Sequence, residues 1–271
     1  MSNNQNQKIN IAIVGATGRM GKMLLEAIAN QSTDFNLVVA VDIPKNPHIG
    51  EKIPGTDVVS SDNLETAFQN NKVHCLIDFT RPQGTLQNLQ ICQKYGVAMV
   101  IGTTGFDDSG KAAIAETAKK IPIVFAPNMA VGVNLVFKLL DTAAKILNFG
   151  YDVEIVEAHH RLKVDSPSGT ALRMGEVVAN ALNRSLKDCA IYGREGVLGE
   201  RKDETIAFST IRGGDIVGDH TVMFCGIGER VEITHKASSR MPYANGALKA
   251  AKFLQSKQNG LFDMQNVLGL Q

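Results

Sequence analysis

Residues 9–21 read Ile-Asn-Ile-Ala-Ile-Val-Gly-Ala-Thr-Gly-Arg-Met-Gly. Four of the first six are β-branched and all but Asn10 are apolar, as a strand covered on both faces of a parallel sheet must be. Gly15, Ala16, Thr17, Gly18, Arg19, Met20 and Gly21 follow. Met23, Leu24, Leu25, Ala27 and Ile28 then recur at helical spacing. A second apolar run over 37–41 ends at Asp42. A strand, a glycine turn, a helix and a strand closed by an acid form the unit that binds a dinucleotide. Gly15 permits the tight turn, Gly18 lets the backbone approach a pyrophosphate, and Gly21 lets the helix pack close to the strand. The spacing is GxxGxxG, with Thr17 where the common fingerprint has glycine. The competing reading is a glycine-rich turn with no ligand. Asp42 suits a ribose diol and repels a 2′-phosphate. Ile43 follows it rather than a cation, and Lys45 is the nearest positive charge, so NADH is favoured over NADPH.

The alternation continues. Apolar runs over 73–79, 97–101 and 123–126 are separated by helical patterns, which implies a doubly wound parallel sheet. Thr80, Gly84, Gly102, Thr103 and Asn128 fall just past the ends of these strands. Such sheets bind ligands there, so these residues are expected to line a nicotinamide crevice. A long helix is expected over 131–147, with Val133, Val136, Leu140, Ala143 and Leu147 inward and Leu139 and Ile146 widening the face. Beyond it the pattern changes to strands over 205–212, 220–227 and 230–235. The expected second domain is α+β, with an open mixed or antiparallel sheet packed by helices on one face. The expected boundaries are 1–130 for a Rossmann-like dinucleotide-binding domain, completed by 241–271, and 131–240 for substrate binding and oligomerisation.

Composition narrows the partners. A net charge of +1 over 271 residues gives no reason to expect nucleic acid or an anionic membrane. No apolar stretch approaches the ~20 residues that span a bilayer. Cys75, Cys92, Cys189 and Cys225 contain no CxxC pair, which argues against a metal site and for a reducing cytoplasm. Cys75 and Cys225 are expected in the core. The polar start, residues 2–7, has no apolar segment and reads as a short disordered tail rather than a signal peptide.

Residues 157–170, Glu-Ala-His-His-Arg-Leu-Lys-Val-Asp-Ser-Pro-Ser-Gly-Thr, lie between a strand pattern and a helix pattern. His159, His160, Arg161 and Lys163 crowd into five positions. Ser168, Gly169 and Thr170 stand where the helix begins, and a helix N-terminus favours an anion. Proton carriers beside an anion cradle suggest acid–base work on an anionic substrate. A solvated basic loop before an ordinary cap is the alternative.

These residues carry a resemblance. The chain is similar over its whole length to the 4-hydroxy-tetrahydrodipicolinate reductase family, formerly called dihydrodipicolinate reductases, of bacterial lysine and diaminopimelate biosynthesis. The most specific match is Glu157 to His160, Lys163, and Ser168 to Ala171. Gly15 to Gly21, Asp78-Phe79-Thr80, Gly102 to Gly105 and the run from Ile233 to Arg240 also match. The resemblance implies that NAD(P)H reduces the C=N bond of a cyclic imine dicarboxylate to tetrahydrodipicolinate. It implies catalytic roles for His159 and Lys163, and substrate contacts for His160, Ser168, Gly169, Thr170 and Arg240. It assigns Gly15, Ala16, Thr17, Gly18, Arg19, Met20, Asp42, Gly102, Thr103, Thr104, Ala126, Pro127, Asn128 and Met129 to the cofactor. It implies a homotetramer joined through the second domain's sheet. Two positions depart from the family: Ile43, where many relatives have Arg, and Met129, where relatives often have an aromatic.

Reducing an imine requires a proton donor near neutral pH, which His supplies without tuning and Lys can also supply. Neighbours on a strand point to opposite faces. His159 and His160 are therefore expected to divide chemistry from binding, though spacing does not say which does which. With cofactor and substrate on different domains, a closure is expected, pivoting near 127–132 and 238–242. A semialdehyde dehydrogenase would need an activated thiolate, which none of the four cysteines offers. A sugar-type oxidoreductase or a nucleotide sensor would have no use for the His-His loop.

Overall fold

The computed structural model describes residues 7–270; most of the expected N-terminal tail lies outside them. The chain divides into two compact units, one running up to Val131 and resuming at Met241, the other Gly132–Arg240.

The first unit alternates strand and helix: β1 (Ile9–Val14), α1 (Arg19–Asn30), β2 (Phe35–Val41), α2 (Leu64–Asn70), β3 (Cys75–Asp78), α3 (Pro82–Tyr95), β4 (Ala98–Ile101), α4 (Asp108–Ala118) and β5 (Pro122–Phe125). All pairings in its six-stranded sheet are parallel. β1 shows why the segment must be apolar throughout. Ile11 and Ile13 belong to one buried cluster, with Leu24 of α1, while Ala12 and Val14 belong to the other, with Leu89 and Cys92 of α3. Alternate side chains fill opposite faces, and both faces are dry. β1 lies between β2 and β3. The strand order therefore reverses at its C-terminal end, where open sheets bind ligands.

The second unit begins with α5 (Val131–Ile146, its first residue belonging to the first unit) and β6 (Asp152–His159). It continues with α6 (Gly169–Ala181), α7 (Leu186–Cys189), β7 (Ala190–Tyr192), β8 (Ile206–Arg212), β9 (Gly218–Cys225) and β10 (Arg230–Ala237). Its sheet runs β10-β9-β6-β8-β7 and is mixed: β9 is antiparallel to both its neighbours, whereas β6, β8 and β7 are parallel. Val153, Ile155, Glu157 and His159 alternate with half-buried residues along β6, so one face is covered. α6 lies against that face so closely that a Cβ on Gly175 would fall 2.6 Å from the Phe208 ring. On the other face Arg194 and Arg201 both pair with Glu154.

The chain then returns to the first unit as α8 (Met241–Leu254), β11 (Gly260–Phe262) and α9 (Met264–Leu268). β11 adds a parallel edge beside β5. α8 buries Ala244, Gly246, Ala247, Ala250 and Ala251, small residues that let it lie close to its neighbours.

Two expectations fail. Leu139 and Ile146 do not widen the inner face of α5; they are 45% and 73% exposed, and Phe137 and Ala144 are buried instead. Helical spacing finds an apolar stripe but not its edge. Cys225 is only half-buried, because β9 turns alternate residues to the less covered face.

Candidate active site

The glycine turn is built as an anion cradle. Gly15 adopts φ +69°, the left-handed region. A Cβ on Gly21 would sit 2.2 Å from the Gly15 carbonyl oxygen, so only glycine lets α1 start this close to β1. Gly18 caps α1 without a side chain. The first-turn N–H groups of Arg19, Met20 and Gly21 are therefore left without a side-chain acceptor, at the positive end of the helix dipole. Asp42 accepts from the Thr17 N–H at 3.0 Å, the Thr17 hydroxyl at 2.6 Å and the Ile43 N–H at 2.8 Å. Partial burial works against its charge, but those donors outweigh it and hold the carboxyl below its ordinary value. An uncapped glycine turn with an ionised acid beside it fits a dinucleotide's diphosphate and ribose.

Other expected cofactor residues split into two groups. Thr80 stands at the ligand end of the sheet, where a Cβ on Gly15 would lie 3.1 Å from its methyl group. Gly84 lies just beyond, in the first turn of α3, and Thr104 and Pro127 are exposed. The others face inward. The Thr103 hydroxyl bonds to Asp78 and receives the Thr85 hydroxyl. Gly102 is glycine because the Phe79 ring would lie 2.1 Å from a Cβ there. Ala126, Asn128 and Met129 are buried, and the Asn128 side chain accepts the Ala130 N–H. What Thr103, Ala126 and Met129 present outward is therefore mainly backbone. Asp78, fully buried, organises this end by accepting from Thr80, Asn88 and Thr103.

In the second unit β6 delivers Glu157 and His159 to one face, two residues apart. The strand ends at His159, and the chain turns there: Gly213 N–H donates to the His159 carbonyl, and Lys163 N–H to that of His160. His159 Nδ1 lies 2.6 Å from Glu157 Oε2. Arg212 grips both Glu157 oxygens at 2.8 Å and also donates to the Asp165 carbonyl, tying the loop down. Ser168 donates its N–H to Glu157 Oε1, and its hydroxyl lies 2.9 Å from His220 Nε2. The same hydroxyl caps α6 by accepting the Ala171 N–H. A Cβ on Gly169 would meet nothing within 4 Å, so there is room before the helix start.

Lys163 makes a two-pronged ion pair with Asp165, at 2.7 and 2.8 Å. The half-buried His160 has a buried Nδ1 with no partner. Thr170 lies in the first turn of α6. Arg240 lies in the bend after β10, and no hydrogen bond or ion pair joins it to the loop among the described residues. The loop thus gathers His159, Lys163 and Ser168 but not Arg240. Sequence reasoning gave no role to Glu157, Arg212, His220 or Asp165. Glu157, two residues before His159 on a strand, was the one with a readable signal.

The family description "Dihydrodipicolinate reductase, N-terminus" matches residues 9–129, and "Dihydrodipicolinate reductase, C-terminus" matches 132–268. The chain belongs to the dihydrodipicolinate reductase family. A 4-hydroxy-tetrahydrodipicolinate reductase from Dechloromonas aromatica is 66% identical, over 96% of this chain and 98% of its own. One from Cupriavidus pinatubonensis is 61% identical, over 97% and 100%. The dipicolinate-bound dihydrodipicolinate reductase of Paenisporosarcina sp. TG-14 shares the fold, with a TM-score of 0.78 at 24% identity over 96% of this chain and 99% of its own. Aspartate semialdehyde dehydrogenase II of Vibrio cholerae also superposes, with a TM-score of 0.54 at 12% identity over 93% of this chain and 99% of its own. Fold likeness alone thus reaches the rival enzyme class, whereas the dihydrodipicolinate reductase descriptions and high-identity relatives cover both units.

Proposed function

We propose that the chain reduces the C=N bond of the cyclic imine 4-hydroxy-tetrahydrodipicolinate to tetrahydrodipicolinate, a step of lysine and diaminopimelate biosynthesis. The observation that carries this reading is the buried Glu157–His159 pair beside Lys163 and a Ser168-capped helix start. A bound reduced nicotinamide supplies the hydride. Gly15 to Met20 hold its diphosphate and Asp42 its ribose. Thr80, Gly84, Gly102, Thr103, Thr104 and the 126–129 segment border the nicotinamide. The ionised Asp42 followed by Ile43 favours NADH over NADPH.

The chain's own residues do the rest. His159 and Lys163 supply the proton that the ring nitrogen must gain. His160, Ser168, Gly169, Thr170 and Arg240 take the substrate's carboxylates. Charge-assisted bonds and the helix dipole favour anions there, and the Paenisporosarcina relative is described bound to dipicolinate, itself a dicarboxylate. The less covered face of the second sheet suits a homotetramer, and four free cysteines suit a reducing cytoplasm. No helix among the described residues is long and apolar enough to cross a membrane.

The test is a coupled assay. The imine is generated from pyruvate and aspartate semialdehyde by the preceding synthase, and nicotinamide absorbance is followed with each cofactor. Oxidation that depends on the imine is expected, faster with NADH at low concentration. No oxidation with either cofactor rejects the reading.

A further inference from the structure

Every oxygen lone pair of Glu157 is committed. Oε2 faces His159 Nδ1 and Arg212; Oε1 accepts from Arg212, the Ser168 N–H at 3.1 Å and the Thr210 hydroxyl at 3.3 Å. A carboxylate so held is acceptor only. The nitrogen facing it must therefore carry hydrogen, so neutral His159 is the Nδ1–H tautomer and Nε2 is left with the lone pair. The surroundings of Nε2 agree. It makes no hydrogen bond among the described residues, and β9 places Gly218 before it, where a Cβ would lie 3.0 Å away.

We propose that Glu157 is a positioning residue: it fixes His159 so that Nε2 alone gives and takes the proton, and it ties that imidazole to the Ser168 end of the anion cradle. In the donating direction the Nε2–H bond breaks, its electron pair stays on Nε2, and a new N–H bond forms on the substrate nitrogen. His159 is left as the tautomer Glu157 already holds, so no proton must cross the ring. The same carboxylate lets the imidazolium form at all. Burial pushes His159 towards its neutral form, Glu157 opposes this, and Lys163 and Arg212 add to the push. The other titratable group facing His159 is His220 on β9, its ring 5.0 Å away, with His235 paired to it on β10; Asp165, further along the loop, is taken up by Lys163. Among these groups Glu157 is the one carboxylate that bonds directly to the ring.

The inference rests on the proposed reduction only where it concerns rate, so the test has two arms. The first uses ¹⁵N-histidine protein and long-range ¹H–¹⁵N spectra, with His159 identified by its loss in His159→Gln. Wild type is expected to show the Nδ1–H tautomer. Glu157→Gln is expected to release that restriction and lower the His159 titration midpoint by about one unit or more, and Glu157→Asp to restore part of it. An Nε2–H tautomer in wild type overturns the proposal, and that outcome does not depend on Glu157→Gln folding. A Glu157→Gln protein with wild-type tautomer and midpoint overturns it as well. In the second arm, kcat of Glu157→Gln is expected to fall about 10²-fold, with cofactor Kd within twofold of wild type. A kcat within twofold of wild type overturns it. A wild-type protein with no reductase activity but the expected spectra would reject the proposed function and leave the assigned role of Glu157 standing.

Discussion

Ser168 Oγ and His220 Nε2 lie 2.9 Å apart, joining the cap of α6 to a strand 52 residues further along the chain. The hydroxyl also accepts the Ala171 N–H. Ser168→Ala therefore removes a helix cap and strands a buried imidazole nitrogen. The expected loss is about 1–3 kcal/mol, read from urea unfolding, together with a raised KM for the imine. An unchanged midpoint would mean the bond contributes nothing to the fold.

His220 carries its own pH signature. Burial, with His159 and His235 nearby, depresses its pKa from 6.5 to about 4, despite the opposing pull of Glu157. The unfolded chain thus binds a proton that the folded chain refuses between these values. Stability is expected to fall as pH drops from about 6.5 towards 4, by at most a few kcal/mol from this residue. His220→Gln should flatten that part of the Tm–pH curve. A curve parallel to wild type contradicts the assignment. Carboxylates held below their ordinary values, such as Glu157 and Asp165, lose their contribution at lower pH and do so in both proteins.

The cofactor preference rests on one charge. Asp42 is kept ionised by Thr17 and Ile43. Replacing it while adding a cation, Asp42→Ala with Ile43→Arg, is expected to shift the ratio of kcat/KM towards NADPH by tenfold or more, about 1.4 kcal/mol. Steady-state kinetics with both cofactors read it directly, and an unchanged ratio removes Asp42 from the ribose site.

Gly218→Ala crowds His159 Nε2 with a methyl group 3.0 Å away while leaving the Glu157 pair in place. kcat is expected to fall about tenfold, because a small misplacement of a proton carrier is costly. Thermal stability should change little. A fall in Tm without a fall in kcat would show that the glycine serves packing alone.

The sheet of the first unit was legible because β1, β3, β4 and β5, and the second half of the edge strand β2, are largely buried on both faces and punctuated by glycine, asparagine and proline. α2 escaped notice: seven residues capped by Asn63 are too few to show a period. β7, three residues long, was missed for the same reason. In the site, His159, Lys163 and Ser168 were legible as a cluster in sequence. Arg212 and His220 were not, because only strand pairing brings them beside Glu157 from 55 and 63 residues away: β8 aligns Arg212 with His159, and β9 aligns His220 with Glu157. Nor does spacing tell a cofactor-facing Thr103 from one bonded to Asp78; that depends on the turn after β4.

The claim on which the account depends is that the 157–170 loop supplies the proton while the glycine turn holds the cofactor. The most direct measurement compares imine-dependent turnover and NADH Kd in His159→Gln and Lys163→Met with wild type. The account predicts that kcat falls at least about 10²-fold in each, with Kd within twofold. Turnover close to wild type in both variants, or cofactor binding lost together with turnover, would contradict it.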